Sequence, residues 1–137
     1  MVRAMATIEI GKDNFKDTVS KEGIVLLDWW AAWCAPCRSF APIFEQASEK
    51  HSDIIFGKID TDKEPELASA FAIRSIPTLM VFRDGIMLFE QAGALPAEAL
   101  EDLIRQVRAL DMNEIRQRLV ERQAQQQQQP EAESPKT

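Results

Sequence analysis

Hydrophobic residues alternate along the chain between short continuous runs and stripes at helical spacing. The run at 24–30 is aliphatic and aromatic almost throughout, which is typical of a strand buried on both faces. A similar run lies at 54–59, and between the two, apolar residues recur at helical spacing over 37–50. This order predicts two parallel strands joined by a crossover helix, which Pro42 should kink.

An antiparallel hairpin is predicted next. Apolar runs at 78–82 and 86–89 flank Asp84-Gly85, and Asp-Gly between such runs predicts a tight turn. Further elements are predicted as a strand at 7–10 and helices at 13–19 (with Asp13 as N-cap), at 64–71 and from Pro96. The sequence therefore predicts an α/β fold, with a central mixed sheet of about five strands and helices on both faces.

The last part of the chain changes character after residue 110. The apolar stripe of the helix that begins at Pro96 does not continue into the next apolar positions, and Asp111 with Glu114 resembles a capping box. We therefore expect a main domain at 1–110 and an additional short helix at 111–125. Residues 126–137 are glutamine-rich and lack apolar residues that could form a core, which predicts a disordered tail.

Length and charge restrict the kinds of partner. The 137 residues suffice for one domain with a short appendage, and 22 acidic against 16 basic residues give a formal charge of −6. This acidity argues against nucleic acid or an anionic membrane as the partner. The sequence shows neither a signal-like N-terminus nor a spanning apolar segment, so we expect a cytoplasmic protein. Separately, we expect it to be a monomer.

Both cysteines lie in one motif, Cys34-Ala35-Pro36-Cys37, between a predicted strand and a predicted helix. A thiol at a helix N-terminus faces unpaired backbone N–H groups and the positive end of the helix dipole, so Cys34 should ionise more easily than a free cysteine. Cys37, one turn further in, is more enclosed but close enough to form a disulfide. The pattern predicts a redox pair, with Cys34 as nucleophile and Cys37 as resolving sulfur.

Two other interpretations of the cysteines remain open. A structural disulfide would close so short a loop that it would restrain the unfolded chain little. A metal site normally needs four ligands, and beyond the two cysteines only the distant His51, expected to be a solvated helix end, is available without a second chain. We therefore expect no metal and no bound cofactor other than the Cys34–Cys37 disulfide itself.

Residues 28–38, Ser75-Ile76-Pro77-Thr78 and Asp84-Gly85 together resemble the thioredoxin family, and the resemblance extends over about 6–110 in the family's order of elements. It implies the thioredoxin fold and a thiol–disulfide oxidoreductase that reduces protein disulfides through a mixed-disulfide intermediate. It also implies an NADPH-dependent thioredoxin reductase as the partner that regenerates the dithiol.

Two charged residues are assigned roles by this resemblance. Asp28 matches the family's buried carboxylate behind the cysteine pair, and we expect burial to raise its pKa, which suits a proton shuttle for Cys37. Lys58 matches the lysine that lies near this carboxylate and tunes it. The alternative for Lys58 is an ordinary exposed lysine on a strand.

The resemblance also implies a substrate-binding surface. Pro77 matches the family's cis-proline, and the Ile76 backbone would pair with an extended substrate. The other residues of this flat surface are Trp33, Ala35, Pro36, Gly93 and Ala94. Ala35 departs from the glycine that is commonest between the two cysteines. The alternative function is a thioredoxin-fold chaperone or adaptor whose extension after Leu110 recruits clients.

Overall fold

The computed structural model describes residues 6–128. Its strands are Thr7–Glu9 (β1), Ile24–Trp30 (β2), Ile55–Asp60 (β3), Thr78–Arg83 (β4) and Ile86–Ala92 (β5). Its helices are Phe15–Val19 (α1), Ala35–Lys50 (α2), Pro65–Ala70 (α3), Ala97–Ala109 (α4) and Met112–Gln128 (α5). The elements follow one another in the predicted order.

The strands form one mixed sheet in the order β1-β3-β2-β4-β5. β3 runs parallel to both of its neighbours, whereas β4 is antiparallel to β2 and β5. In the middle of the sheet, Asp28 on β2 lies opposite Lys58 on β3 and Leu79 on β4. The predicted mixed five-stranded sheet is confirmed, and β2 is at its centre.

Each face of the sheet carries its own apolar core. Alternate residues of β2 point to opposite faces, so Ile24 and Leu26 face one core, and Val25, Leu27 and Trp29 face the other. The first core includes residues from α2 and α4: Phe40, Phe44, Ala47, Leu100, Ile104 and Val107. The second includes residues from α1 and α3: Phe15, Val19, Leu67 and Ala68. Helices therefore cover both faces, and Asp28 falls on the face that α2 covers.

Local details differ from the sequence prediction at two helix starts. α2 begins at Ala35, two residues before the predicted start, because Pro36 fits the first turn of a helix, where no backbone donor is lost. The helix is continuous through Pro42. The N-cap of α1 is Asn14 rather than the predicted Asp13, and its side-chain carbonyl accepts a hydrogen bond from the Gly11 N–H at 2.8 Å.

α5 is a separate helix, and it extends to Gln128, three residues beyond the predicted end. Asp111 caps it, because its Oδ1 accepts hydrogen bonds from the backbone N–H groups of Asn113 (3.0 Å) and Glu114 (3.3 Å). Residues 126–128, predicted as part of the tail, are helical, since glutamine is a good helix former. The rest of the predicted tail, 129–137, lies outside the described residues. The chain divides after Val107 into two compact units.

Gly57 on β3 provides a test of the packing beneath β1 and β2. A Cβ at this position would lie 2.6 Å from Ile10 Cγ1 and 3.0 Å from Leu27 Cδ2, both buried in the second core. We expect Gly57→Ala to lower the free energy of unfolding by about 1–3 kcal/mol in urea denaturation, as overpacking does. Gly11→Ala is the matched control, since its new Cβ would meet only the flexible Glu64 carboxylate. Equal stability of the two variants would contradict the prediction.

Candidate functional site

The cysteine pair lies where the chain leaves the central strand and enters α2. Cys34 is the N-cap of α2 in extended backbone conformation, and its Sγ accepts a hydrogen bond from the Cys37 N–H at 3.2 Å. The backbone N–H of Arg38 donates to the Cys34 carbonyl oxygen at 3.1 Å, and the Arg38 guanidinium donates to the Ala32 carbonyl oxygen at 2.8 Å. The helix start therefore directs a backbone donor at Sγ of Cys34, as the sequence analysis expected of a helix N-terminus.

Cys34 and Cys37 form a disulfide, with their Cα atoms 5.2 Å apart. Both residues are buried, with exposed fractions of 4% and 2%, so the predicted difference in enclosure is small. Their surroundings distinguish them more clearly. Cys34 Sγ lies 3.6 Å from the carbonyl oxygen of Ile76, whereas Cys37 belongs to the buried side of α2.

Asp28 is fully buried, with an exposed fraction of 0%, and neither of its carboxylate oxygens has a hydrogen-bond partner. Burial raises its pKa to about 7, because the charged form loses its hydration, and the positive charge of Lys58 acts in the opposite direction. The expected burial and raised pKa are confirmed. At neutral pH this carboxyl can therefore both accept and release a proton.

Lys58 is not the ordinary exposed strand lysine that we considered as the alternative. Its side chain is only 17% exposed, and its Nζ lies 4.9 Å from the centre of the Trp30 ring and 3.9 Å from Glu45 Oε2. These three residues help to line an open cavity of about 300 Å³, whose other wall residues come from β1. Sequence reasoning did not single out Glu45, since neither its spacing nor its neighbours on α2 indicate a contact with β3.

The Ile76–Pro77 loop faces the cysteine pair. The Ile76–Pro77 peptide bond is cis, as predicted, and Ile76 packs against the small cluster of Ala31, Cys34 and Cys37. The Gly93 N–H donates to the Pro77 carbonyl oxygen at 2.7 Å, which holds the end of β5 beside this loop. Gly93 and Ala94 are both exposed.

Trp33 is the most exposed large apolar side chain of the described residues, at 68%. Its Nε1–H donates to Asp62 Oδ2 at 3.0 Å, so the indole is held on the surface by the loop that follows β3. Ala35 and Pro36 are exposed as well. Sequence reasoning missed Asp62, because a loop aspartate 29 positions away carries no signal of this contact.

His51 differs from the sequence expectation. It is mostly buried rather than a solvated helix end, and its Nε2 lies 2.8 Å from Glu101 Oε1 on α4. Because periodicity describes one helix at a time, the pairing of the end of α2 with α4 could not be foreseen. His51 is not part of the cysteine site.

Two findings concern other kinds of site. Across residues 6–128, no three or more His, Cys, Asp and Glu side chains are grouped so that they could hold a metal ion. Over the same range, none of the helices has the length and apolar character needed to cross a membrane.

Comparison with known proteins agrees with this geometry. The family model described as Thioredoxin matches residues 6–106. The chain is 52% identical over 120 residues to "Putative thioredoxin 2" of Streptomyces coelicolor, covering 88% of this chain and 90% of that protein. It is 39% identical over 101 residues to thioredoxin of Bacillus subtilis, covering 73% and 96%.

Solved structures of thioredoxins are also similar to this chain. A mutant thioredoxin from Halobacterium salinarum is 34% identical, with a TM-score of 0.70 and coverage of 80% of this chain and 99% of that one. The Malassezia sympodialis thioredoxin is 30% identical, with a TM-score of 0.69 and coverage of 77% and 94%. The chain therefore belongs to the thioredoxin family and is a thiol–disulfide oxidoreductase.

Proposed function

We propose that this protein reduces disulfides in other proteins through its Cys-Ala-Pro-Cys dithiol. The observation that carries the proposal is the position of Cys34 Sγ, which accepts the Cys37 N–H at the start of α2 and lies beside the Ile76 carbonyl. In the dithiol form, the same donor and the helix dipole would stabilise a Cys34 thiolate. The thiolate is the form of cysteine that attacks a disulfide.

The reaction transfers two electrons in two steps. The Cys34 thiolate attacks one sulfur of the substrate disulfide, the substrate S–S bond breaks, and the released substrate thiolate takes a proton from solvent. The Cys37 thiol then gives its proton to Asp28, and its sulfur attacks the Cys34 sulfur of the mixed disulfide. The second substrate thiolate leaves and is protonated, and the Cys34–Cys37 disulfide forms.

Asp28 suits the second step by its place in the sheet and by its pKa. It lies on the face of β2 that α2 covers, and Cys37 is on the buried stripe of α2, one turn before Phe40 and two before Phe44. A carboxyl with a pKa near 7 is ionised in part of the molecules at neutral pH and can therefore act as a base. Lys58 would tune this equilibrium by its charge.

The substrate would bind across the exposed surface around the cysteine pair. An extended segment pairing with the Ile76 backbone would lie next to Cys34, since Cys34 Sγ and the Ile76 oxygen are 3.6 Å apart. The rest of the proposed exposed surface consists of Trp33, Ala35, Pro36, Gly93 and Ala94. Pro77 is itself buried and would contribute by shaping the Ile76–Pro77 loop that borders this surface. A flat surface of small residues and one aromatic ring would accept many sequences, which is appropriate for a general reductase.

The proposed cycle needs a partner that returns the disulfide to the dithiol. That partner is a thioredoxin reductase that draws on NADPH, while this chain would act as a monomer without a bound cofactor. The proposal includes a cytoplasmic location, because dithiols are kept reduced in that compartment. It thus accounts for the two cysteines as a catalytic pair rather than as a structural link.

Cys37→Ser tests the resolving role. We expect this variant to accumulate a mixed disulfide with a protein substrate such as oxidised insulin, because the sulfur that would release the product is absent. Non-reducing electrophoresis would show the adduct, and dithiothreitol would cleave it by reducing the mixed disulfide. The Cys34→Ser/Cys37→Ser double variant is the control and should form none. Rapid turnover by Cys37→Ser without an adduct would contradict the assignment.

The chaperone or adaptor function is the second candidate. The observation in its favour is that α5 exposes two large apolar side chains, Leu119 and Val120. Two apolar side chains are a small surface compared with known protein interfaces. We therefore rank this candidate below the reductase.

A further inference from the structure

Lys58 interacts with a carboxylate of α2, that of Glu45, which the proposed catalytic cycle does not use. Lys58 and Asp28 are register partners on the parallel strands β3 and β2, so their side chains leave the sheet on the same face. The Lys58 ammonium is nevertheless placed beside a second carboxylate, since Glu45 Oε2 lies 3.9 Å from Nζ. One cation is thus shared between a buried acid and a partly exposed acid.

The Trp30 ring defines where this ammonium lies. Lys58 Nζ is 4.9 Å from the ring centre, within the range of a cation–π contact, and Trp30 follows Asp28 by two residues on the same face of β2. The cavity of about 300 Å³ includes Lys58, Trp30 and Glu45 in its wall but not Asp28, both of whose carboxylate oxygens are wholly buried. The ammonium is therefore held toward the cavity by two residues, neither of which is the buried carboxyl.

We propose that Glu45 is a positioning residue for the reductase: it holds the Lys58 ammonium over Trp30 and so sets the positive charge that faces the Asp28 carboxyl. The proposal rests on the proposed function of Asp28 as proton acceptor for Cys37. Glu45 touches neither the substrate nor the sulfurs. It acts through Lys58, and its effect is on the protonation of Asp28.

Among the charged groups near Asp28, Lys58 is the one that connects it to Glu45. On β1, Glu9 is the register partner of Lys58, but its carboxylate lies 3.7 Å from Lys63 Nζ and both side chains are largely exposed. On β4, the register partner of Asp28 is the apolar Leu79. On α2, Cys37 is in the disulfide and does not titrate in this state. The charges that face the pair are therefore Lys58 and, through it, Glu45.

The sign of the effect follows from this arrangement. The charge of Lys58 lowers the Asp28 pKa against the larger effect of burial. Glu45 compensates part of that charge and holds it toward the cavity. Removing the negative charge of Glu45 therefore leaves Lys58 uncompensated, which favours ionised Asp28 and moves its titration to lower pH.

The test is the ¹³C NMR titration of the Asp28 carboxyl in the oxidised full-length protein, in which no thiol interferes. We expect Glu45→Gln to lower the Asp28 midpoint by at least about half a pH unit. Glu45→Asp, which keeps the charge, should restore most of the wild-type value. Glu49→Gln is the matched control, because it removes the same charge from an exposed position one turn further along α2. Equal midpoints for Glu45→Gln and Glu49→Gln would overturn the proposal.

The same titration in a Lys58→Gln variant distinguishes an effect of Glu45 through Lys58 from a direct effect of Glu45 on Asp28. Lys58→Gln should raise the Asp28 midpoint, and adding Glu45→Gln to it should then have no further effect. If Glu45→Gln shifts the midpoint equally in both backgrounds, Glu45 acts directly and the positioning role is wrong. The titration does not depend on turnover. If Asp28→Asn leaves the pH profile of insulin reduction unchanged, the proposed role of Asp28 in catalysis fails, whatever the titration shows.

Discussion

Cys34→Ser is expected to lose disulfide-reductase turnover by on the order of 1,000-fold or more. A serine hydroxyl in this place stays protonated at neutral pH even beside the Cys37 N–H, and an oxygen cannot take the place of sulfur in thiol–disulfide exchange. The measurement is the rate of insulin reduction in the presence of NADPH and a thioredoxin reductase. The rate is monitored through the oxidation of NADPH and the precipitation of reduced insulin. The loss should appear in kcat/KM at saturating reductase.

The control for this variant must show that the loss is chemical. Ser39→Ala changes an exposed residue of α2 close to the motif and should keep wild-type turnover. Cys34→Ser should retain the wild-type far-UV circular dichroism, since both cysteine side chains contribute little to the two large cores. Turnover within tenfold of wild type would mean that Cys34 is not the nucleophile.

The same assay discriminates between the two candidate functions. A chain ended at Leu110 lacks α5 and the glutamine-rich residues but retains the cysteine motif and the sheet. Under the reductase proposal its turnover equals that of the full chain. An adaptor would lose client binding on truncation, and would keep that binding when both cysteines are replaced by serine.

The fold was predictable because the strands and turns of the sheet have recognisable patterns in the local sequence. The run at β2 is apolar except at Asp28, because a central strand is buried on both faces. Asp84-Gly85 marks the hairpin because Asp84 and Gly85 both adopt positive φ there. Asp28 was predictable as a buried acid for the same reason: it interrupts a strand with no polar neighbour. The environment of a reactive residue can be inferred from the sequence when its neighbours along the chain determine that environment.

The contacts that sequence reasoning missed join elements far apart in the chain. Glu45 meets Lys58 across the α2–β3 packing, and Trp33 meets Asp62 across the turn after β3. Hydrophobic periodicity shows which face of an element is buried but not which polar side chains meet at its rim. The resemblance assigned a role to Lys58 without indicating that a second carboxylate shares its charge.

The stability of the oxidised protein is expected to depend on pH through Asp28. Its pKa is about 7 in the native state and near 3.8 in an unfolded chain, so the native state keeps a proton that the unfolded state releases. Well below pH 3.8 both states are protonated and Asp28 carries no electrostatic penalty. As pH rises to about 7, the penalty grows toward about 4 kcal/mol, because each pKa unit corresponds to about 1.4 kcal/mol, and at higher pH it stays constant.

Asp28→Asn isolates this effect, because an asparagine contributes no charge at any pH. The difference in unfolding free energy between Asp28→Asn and wild type should shift in favour of the variant by about 4 kcal/mol between about pH 4 and about pH 8. Any fixed cost of the buried amide cancels, since only the change with pH is compared. Urea unfolding of the disulfide forms at intervals across this range provides the measurement. If the difference does not vary with pH, the Asp28 carboxyl ionises in the native state as readily as in the unfolded chain and cannot serve as a base poised at neutral pH.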